Sequence, residues 1–256
     1  MYLYLQNEID VGIGVRNAIA NGFVTREEVY ITSKISPYEQ GACKARKACE
    51  EILNRLDLGY VDLLLIHWPG VAKQKQDSPE NSVKRRETWE VMEEFVAKGH
   101  VRALGVSNFE IHHLQDLLSY ATIRPIVNQV ELHALYPQEE LRIFCKEHDI
   151  KVVGYSCFGS GALFDPGEYK EPSIVAKNTG KTLSQVLLCW GLQQECCVLA
   201  KSEQQERIQQ FSPLNPGMRP DEDGRYLSIE NESLLCSMGA SLDARKKFCW
   251  DPSHIA

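Results

Sequence analysis

The segment VDLLLIHW, residues 61–68, decides the fold. It is almost entirely apolar up to Ile66 and then becomes polar at His67. A strand with one face in water alternates apolar and polar residues, whereas a nearly continuous apolar run is typical of a parallel strand covered on both faces. The segment therefore predicts a buried parallel strand with His67 at its carboxyl end.

The same pattern recurs along the chain, where short β-branched runs end in polar residues and are followed by stretches with helical periodicity. Strand–helix alternation at this spacing indicates an α/β protein with a parallel sheet. The other predicted strands are residues 29–34, 103–108, 126–132, 151–156 and 198–202. The predicted helices are residues 8–21, 41–56, 84–98, 110–119, 137–148, 182–193 and 203–210.

Two architectures have this alternation, an open doubly wound sheet and a (β/α)8 barrel. A doubly wound nucleotide-binding sheet would show a G-x-G-x-x-G turn after a strand, and none of the predicted strands is followed by one. Polar residues instead follow many different strands, as in a barrel, whose active site lies at the carboxyl ends of its strands. The sequence therefore predicts a TIM barrel as a single domain over residues 1–256, lacking its first two strands.

Composition excludes several classes of protein. With 43% apolar and 25% charged residues, the chain is too apolar to be disordered as a whole. A net charge of −7 without a run of Lys or Arg argues against nucleic acid or an anionic membrane as a partner. No apolar stretch reaches the ~20 residues of a membrane-spanning helix, and the amino-terminal residues do not resemble a signal peptide. We therefore expect a cytoplasmic protein.

The nine cysteines are scattered along the chain and include no C-x-x-C pair. In a chain long enough to bury its own core, such thiols are typical of reduced cysteines in a cytosolic protein. We expect all nine to be buried structural residues, and we predict no metal site.

Several segments resemble the aldo-keto reductase family: DLLLIHWPG (62–70), KGHVRALGVSNF (98–109), NQVELH (128–133), VVGYSCFGSGALF (152–164) and LAKSEQQERI (199–208). The resemblance covers nearly the whole chain from Asn7. It implies a (β/α)8 barrel, NADPH/NADP+ as the cofactor, a small carbonyl substrate, and reduction of aldehydes and ketones to alcohols. It also implies a monomer, although the unpaired strand edges of an incomplete barrel would favour self-association.

His67 and Lys34 are the predicted catalytic residues. A neutral imidazole at a strand end can donate a hydrogen bond to a substrate carbonyl and so orient it. The resemblance implies that Lys34 lowers the pKa of a tyrosine phenol that acts as a general acid, with an aspartate as partner of the lysine. It also implies that Trp68 lines the substrate pocket, and aromatic packing is the alternative role for this residue.

The tyrosine and the aspartate of this family pattern are missing. Counting back from Asn7 places Leu5 where the family has its tyrosine and puts the aspartate before Met1, with Tyr4 one residue away. The chain is therefore expected to reduce aldehydes and ketones poorly. A truncated gene model, a splice form and a non-catalytic relative all fit this departure. The alternative functions are a pseudoenzyme that binds NADP(H), a partner-binding subunit, or a fragment that does not fold.

The predicted cofactor residues follow the later strands. By resemblance, Ser107, Asn108 and Gln129 bind the nicotinamide carboxamide, and Tyr155 stacks on the nicotinamide ring. Ser107 and Asn108 are also suited to capping the helix that follows them. The loop at the pyrophosphate keeps the family pattern at Ser156, Phe158 and Ser160, with Cys157 in place of a proline.

Lys201, Ser202 and Arg207 predict a phosphate site. Two cations and a hydroxyl at the start of a helix suit a phosphate dianion, and the resemblance implies the 2′-phosphate of NADPH. Gln210 and Phe211 replace the glutamate and asparagine that contact adenine in the family. Residues 212–225 are predicted to form a loop.

Overall fold

The computed structural model describes residues 7–256, and strands and helices alternate along them. The strands are β1 (Thr32–Ile35), β2 (Val61–Ile66), β3 (Val101–Ser107), β4 (Val127–Glu131), β5 (Lys151–Tyr155) and β6 (Cys197–Val198). The helices are α1 (Glu8–Ala20), α2 (Ala42–Leu56), α3 (Glu80–Ala97), α4 (Ile111–Tyr120), α5 (Glu139–Glu147), α6 (Glu171–Thr179), α7 (Leu183–Gln193), α8 (Gln205–Phe211) and α9 (Ile229–Cys236). Short 3₁₀ helices lie at Gly159–Phe164, Pro216–Met218, Ser237–Gly239 and Leu242–Ala244.

The predicted fold class is confirmed. The strands follow one another in the sheet in chain order. The pairs β1–β2, β2–β3 and β5–β6 are parallel. Every residue of β2 is buried, as its apolar sequence predicts.

The chain forms two compact units. One contains the described residues up to Asn128 together with Pro252–Ala256, and the other contains Gln129–Asp251. The core of the first unit contains β2 together with Trp89, Met92 and Leu104, all completely buried. The core of the second unit is built around Val175, Val186 and Trp190. The single domain predicted from the sequence stays a prediction.

Some elements differ from the sequence prediction. Helices α6 and α9 were not predicted, although Ser228 caps α9 by accepting a hydrogen bond from the backbone N–H of Asn231 at 3.4 Å. The last strand is shorter than predicted and ends at Val198. None of the helices between residues 7 and 256 has the length and apolar character needed to cross a bilayer.

The cysteines are free, but the expectation that all are buried is wrong. Cys43 and Cys197 are exposed, while Cys236 and Cys249 are partly exposed. Cys43 lies near the start of α2 on its solvent face, and Cys197 opens the short strand β6. A cysteine therefore does not by itself indicate a buried position in this chain.

The two glycines of α1 give a matched test of its packing on α2. A Cβ atom at Gly12 would lie 2.1 Å from the carbonyl oxygen of Leu56, whereas nothing lies within 4 Å of a Cβ at Gly14. We expect Gly12→Ala to lower the free energy of unfolding by ~1–3 kcal/mol through overpacking. Gly14→Ala should raise it by ~0.5–1 kcal/mol, because alanine favours the helix. Urea titration of both variants measures this, and equal midpoints would show that α1 does not need the close approach.

Candidate active site

Lys34 and His67 lie at the carboxyl ends of neighbouring strands. Lys34 is the third residue of β1, and His67 directly follows β2. The backbone N–H of His67 donates to the carbonyl of Ile35 at 3.0 Å. Burial first and the positive charge of Lys34 second lower the pKa of His67 to about 4. Burial also lowers the pKa of Lys34. His67 is therefore neutral at physiological pH, with a cation close by.

Asn108 connects the ends of β2 and β3. Its Nδ2 donates to the carbonyl of His67 at 3.0 Å and to Oγ of Ser107 at 3.1 Å, and its side chain is buried. Its φ of 62° lies in the left-handed region, which asparagine tolerates better than most residues. Neither Ser107 nor Asn108 caps α4, since Glu110 occupies that position and donates its N–H to Nδ1 of His113.

The loop after His67 is fixed by buried side chains of the first unit. Gln40 Nε2 donates to the carbonyls of Trp68 at 2.7 Å and Gly70 at 2.9 Å. Arg85, which is almost fully buried, donates from Nη1 to the carbonyl of Pro69 at 3.0 Å. Trp68 itself is half-buried, and its ring centroid lies 6.4 Å from that of His67.

Gln129, Tyr155 and the loop 156–160 lie in the second unit. Gln129 is buried within β4, and Tyr155 ends β5 half-buried. Ser156 and Ser160 have φ values of 52° and 54°, which is unfavourable for non-glycine residues. Between them, Cys157 is buried and donates to the carbonyl of Gly154 at 3.3 Å, and burial raises its pKa to about 11. Strained backbone of this kind often lies at functional sites.

Phe158 packs between two other aromatic rings. Its centroid lies 5.2 Å from that of Phe164 and 5.8 Å from that of Phe211. The departure from the family pattern at Phe211 therefore places an aromatic ring against a predicted cofactor residue. Cys249 also reaches this loop, with Sγ 3.6 Å from Oγ of Ser156. Sequence analysis did not identify Cys249, because the two residues are 93 positions apart.

The predicted phosphate cluster is exposed and contains an acid. Because β6 ends at Val198, Lys201 and Ser202 lie in the following loop and not at a strand end as predicted. Lys201 Nζ forms an ion pair with Oε1 of Glu203 at 2.5 Å, and both side chains are largely exposed. Arg207 is exposed on the short helix α8. Glu203 was not considered in the sequence prediction, and it is positioned to compete with an anionic ligand for Lys201.

The structure thus brings together one set of predicted residues, since Lys34, His67, Ser107 and Asn108 are linked in the first unit. Lys201, Ser202 and Arg207 of the second unit are close in sequence. Tyr4 and Leu5, where the sequence analysis looked for the tyrosine, fall outside the described residues.

Comparisons with known proteins place the chain in a family. The sequence model of the Aldo/keto reductase family matches residues 3–212. Glyoxal reductase from Bacillus subtilis (strain 168) is 40% identical over 203 residues, which span 79% of this chain and 67% of that protein. The 9,11-endoperoxide prostaglandin H2 reductase from Trypanosoma cruzi (strain CL Brener) is 40% identical over 233 residues, spanning 90% of this chain and 76% of that protein.

Solved structures agree. The aldo-keto reductase MGS-M4, from a Medee basin deep-sea metagenome library, has a TM-score of 0.79 at 31% identity, covering 98% of this chain and 83% of that one. The Bombyx mori aldo-keto reductase in complex with NADP has a TM-score of 0.76 at 30% identity, covering 91% and 75%. The chain therefore belongs to the aldo/keto reductase family, and by family it is an NADP-dependent oxidoreductase.

Proposed function

We propose that the chain binds NADPH and reduces small, activated carbonyl compounds, while it turns over ordinary aldehydes and ketones slowly. The observation that best supports this function is the neutral, half-buried His67 beside Lys34 at the ends of two parallel strands. Carbonyl reduction needs a donor that orients the oxygen and a field that stabilises the negative charge formed on it.

His67 orients the carbonyl in this proposal. With a pKa of about 4, its imidazole is neutral and can donate a hydrogen bond from one ring nitrogen. The charge of Lys34 that lowers this pKa also stabilises an oxyanion at the same place. A fixed cation in a partly buried site acts more strongly than in water, because little solvent screens it.

Slow turnover of unactivated carbonyls follows from the lack of a proton donor at position 5. The developing alkoxide must be protonated, and Leu5 has no proton to donate. Among residues 7–256, no carboxylate contributes to the pKa of Lys34, which burial alone lowers. A quinone tolerates this loss better, because its reduced oxygen is intrinsically more stable as an anion. Because Leu5 stands where the family has its tyrosine, a second candidate function is an NADP(H)-binding protein without catalytic activity.

The predicted cofactor residues offer the hydrogen-bonding groups, the aromatic ring and the cations that NADPH requires. NADPH, when bound, supplies a hydride to the carbonyl carbon. We assign Ser107, Asn108 and Gln129 to its carboxamide and Tyr155 to its ring. Ser156, Phe158 and Ser160 belong to the pyrophosphate, and Lys201, Ser202 and Arg207 to the 2′-phosphate. The left-handed backbone at Ser156 and Ser160 and the exposed cations of the cluster support this assignment.

A turnover assay distinguishes the two candidate functions, the reductase and the non-catalytic NADP(H)-binding protein. We expect NADPH oxidation, followed at 340 nm, with an ortho-quinone, and rates lower by ~10²–10⁴-fold with an unactivated aldehyde or ketone, the usual contribution of general acid catalysis. His67→Ala should abolish quinone reduction but leave NADPH binding intact. NADPH binding without quinone turnover would support the non-catalytic alternative, and family-like ketone turnover that Tyr4→Phe abolishes would show that Tyr4 is the acid.

Two substitutions in the phosphate cluster should change the affinity for NADPH in opposite directions. Arg207→Ala should weaken NADPH binding by ~10-fold, as expected for a lost charge-assisted contact at an exposed site, and leave NADH binding unchanged. Glu203→Gln should strengthen NADPH binding, because Lys201 loses its competing carboxylate. Glu206→Gln, one helical position from Arg207, is the matched control. Fluorescence titration with both cofactors measures this, and equal affinities of the wild type for NADPH and NADH would refute the 2′-phosphate assignment.

The pairing of Lys34 with His67 can be measured without cofactor. Histidine ring NMR, with the His67 resonance assigned by a His67→Gln variant, should show that this imidazole titrates near pH 4 and is neutral between pH 5 and 8. The assignment distinguishes it from His113, whose pKa burial lowers to about 3. Lys34→Met should raise the pKa of His67, but only part of the way to its ordinary value, because burial is the larger cause. Lys44→Met, exposed on α2, should leave it unchanged. An unaltered His67 titration in Lys34→Met would show that the two groups do not interact.

A further inference from the structure

A cationic segment near the carboxyl terminus, residues 245–249, lies along the second unit, and we call it the strap. Its first two cations form ion pairs with exposed acids, Arg245 with Glu139 at 3.7 Å and Lys246 with Glu168 at 2.7 Å. Exposed pairs of this kind contribute little to stability. The third cation, Lys247, lies 3.6 Å from the carboxylate of Glu131, which is completely buried.

The side chain of Glu131 binds backbone N–H groups of the strap. The carboxylate at the end of β4 accepts hydrogen bonds from the N–H of Phe248 at 2.7 Å and from the N–H of Cys249 at 2.9 Å. His133, also buried, lies 3.1 Å from the same carboxylate. Burial would raise the pKa of Glu131, but the hydrogen bonds from His133 and the strap and the charge of Lys247 together lower it to about 2. The carboxylate is therefore ionised and well satisfied.

The strap residues bound by Glu131 contact the loop 156–160. Gly159 has a φ of 55°, and a Cβ atom there would lie 3.0 Å from Cε2 of Phe248. Cys249 Sγ lies 3.6 Å from Oγ of Ser156. Phe248 and Cys249 therefore lie against Gly159 and Ser156 of the loop that the proposed function assigns to the pyrophosphate.

We propose that Glu131 is a positioning residue for NADPH: it fixes the strap, and through Phe248 and Cys249 the strap keeps the loop 156–160 in its binding conformation. This proposal rests on the proposed function. Because linkage is reciprocal, bound NADPH must also stabilise the strap on the protein. Glu131 does not touch the cofactor in this account, and its effect passes through the backbone of the strap.

Glu131→Gln is the test variant, since it keeps the size of the side chain. An amide has one acceptor oxygen, so its NH₂ group would face one of the two strap N–H donors, which leaves that donor unpaired. Glu139→Gln is the matched control, because it removes an ion pair of the strap at the surface and leaves the Glu131 contacts in place. Phe248→Ala removes the contact with Gly159 and the packing of the ring on His133, and it keeps the backbone N–H that donates to the Glu131 carboxylate.

Alkylation of cysteines, read by peptide mass spectrometry, and fluorescence titration with NADPH are the two measurements. Cys145 and Cys189 are fully buried and report global unfolding, while Cys249 reports release of the strap. We expect Glu131→Gln to alkylate faster at Cys249 alone, to lose protection of Cys249 by NADPH, and to bind NADPH about tenfold more weakly. Its KM for NADPH should rise at unchanged kcat, and Glu139→Gln should stay within about twofold of the wild type.

The outcomes distinguish the two proposals. A folded Glu131→Gln variant with wild-type affinity for NADPH would overturn the positioning role alone. If Cys145 becomes reactive in that variant, Phe248→Ala decides: weaker NADPH binding supports the role, and unchanged binding overturns it. A wild-type chain that binds no NADPH would overturn the proposed function and, with it, the positioning role.

Discussion

The parallel register of β1, β2 and β3 is the constraint on which the candidate active site depends. Ile35 pairs with Ile66, and Ile66 pairs with Val106. Because parallel strands end at the same edge of a sheet, this register brings the carboxyl ends of all three strands together. Lys34 and His67 thereby lie half-buried at neighbouring strand ends, and the burial that lowers the pKa of His67 is a consequence of the strand pairing. The chemistry of the site thus follows from the backbone hydrogen bonds of an apolar sheet.

At this edge of the sheet, the backbone carbonyls that follow β2 need hydrogen-bond donors from elsewhere in the chain. The carbonyls that follow β2 are unavailable to the sheet ladder, and an unpaired buried carbonyl costs ~1–3 kcal/mol. Gln40, Arg85 and Asn108 each donate to one or more of these carbonyls. The carboxyl-terminal residues contribute to the same region, since Arg85 also donates to the carbonyl of Ala256, and Ile255 packs on Gly70. The carbonyls of the loop that contains Trp68 are therefore satisfied by side chains distant in sequence.

The strands and most helices could be predicted from the sequence because their signals are local. An apolar run such as residues 61–66 determines a buried strand wherever it lies, and the polar residue after it marks the strand end. Contacts between distant residues give no such signal. Glu131 and Cys249 are 118 positions apart, and the sequence alone does not show that the carboxylate binds that backbone. Nor does the charge pattern LAKSEQQERI show that Lys201 pairs with Glu203, since the four ionisable residues between positions 201 and 207 allow several pairings.

The exposed and the buried acidic residues that contact the strap differ in how much their contacts contribute to stability. Glu139 and Glu168 remain largely in water, where screening and side-chain entropy reduce an ion pair to ~0–1 kcal/mol. Glu131 has lost its water, so its charge must be compensated by directed hydrogen bonds, and removing any of them leaves a buried group unpaired. Its two backbone donors fix both the position and the orientation of Phe248 and Cys249, which an ion pair between flexible side chains does not. A single buried carboxylate therefore determines where the strap meets the loop 156–160, and the surface ion pairs of Arg245 and Lys246 add little to this placement.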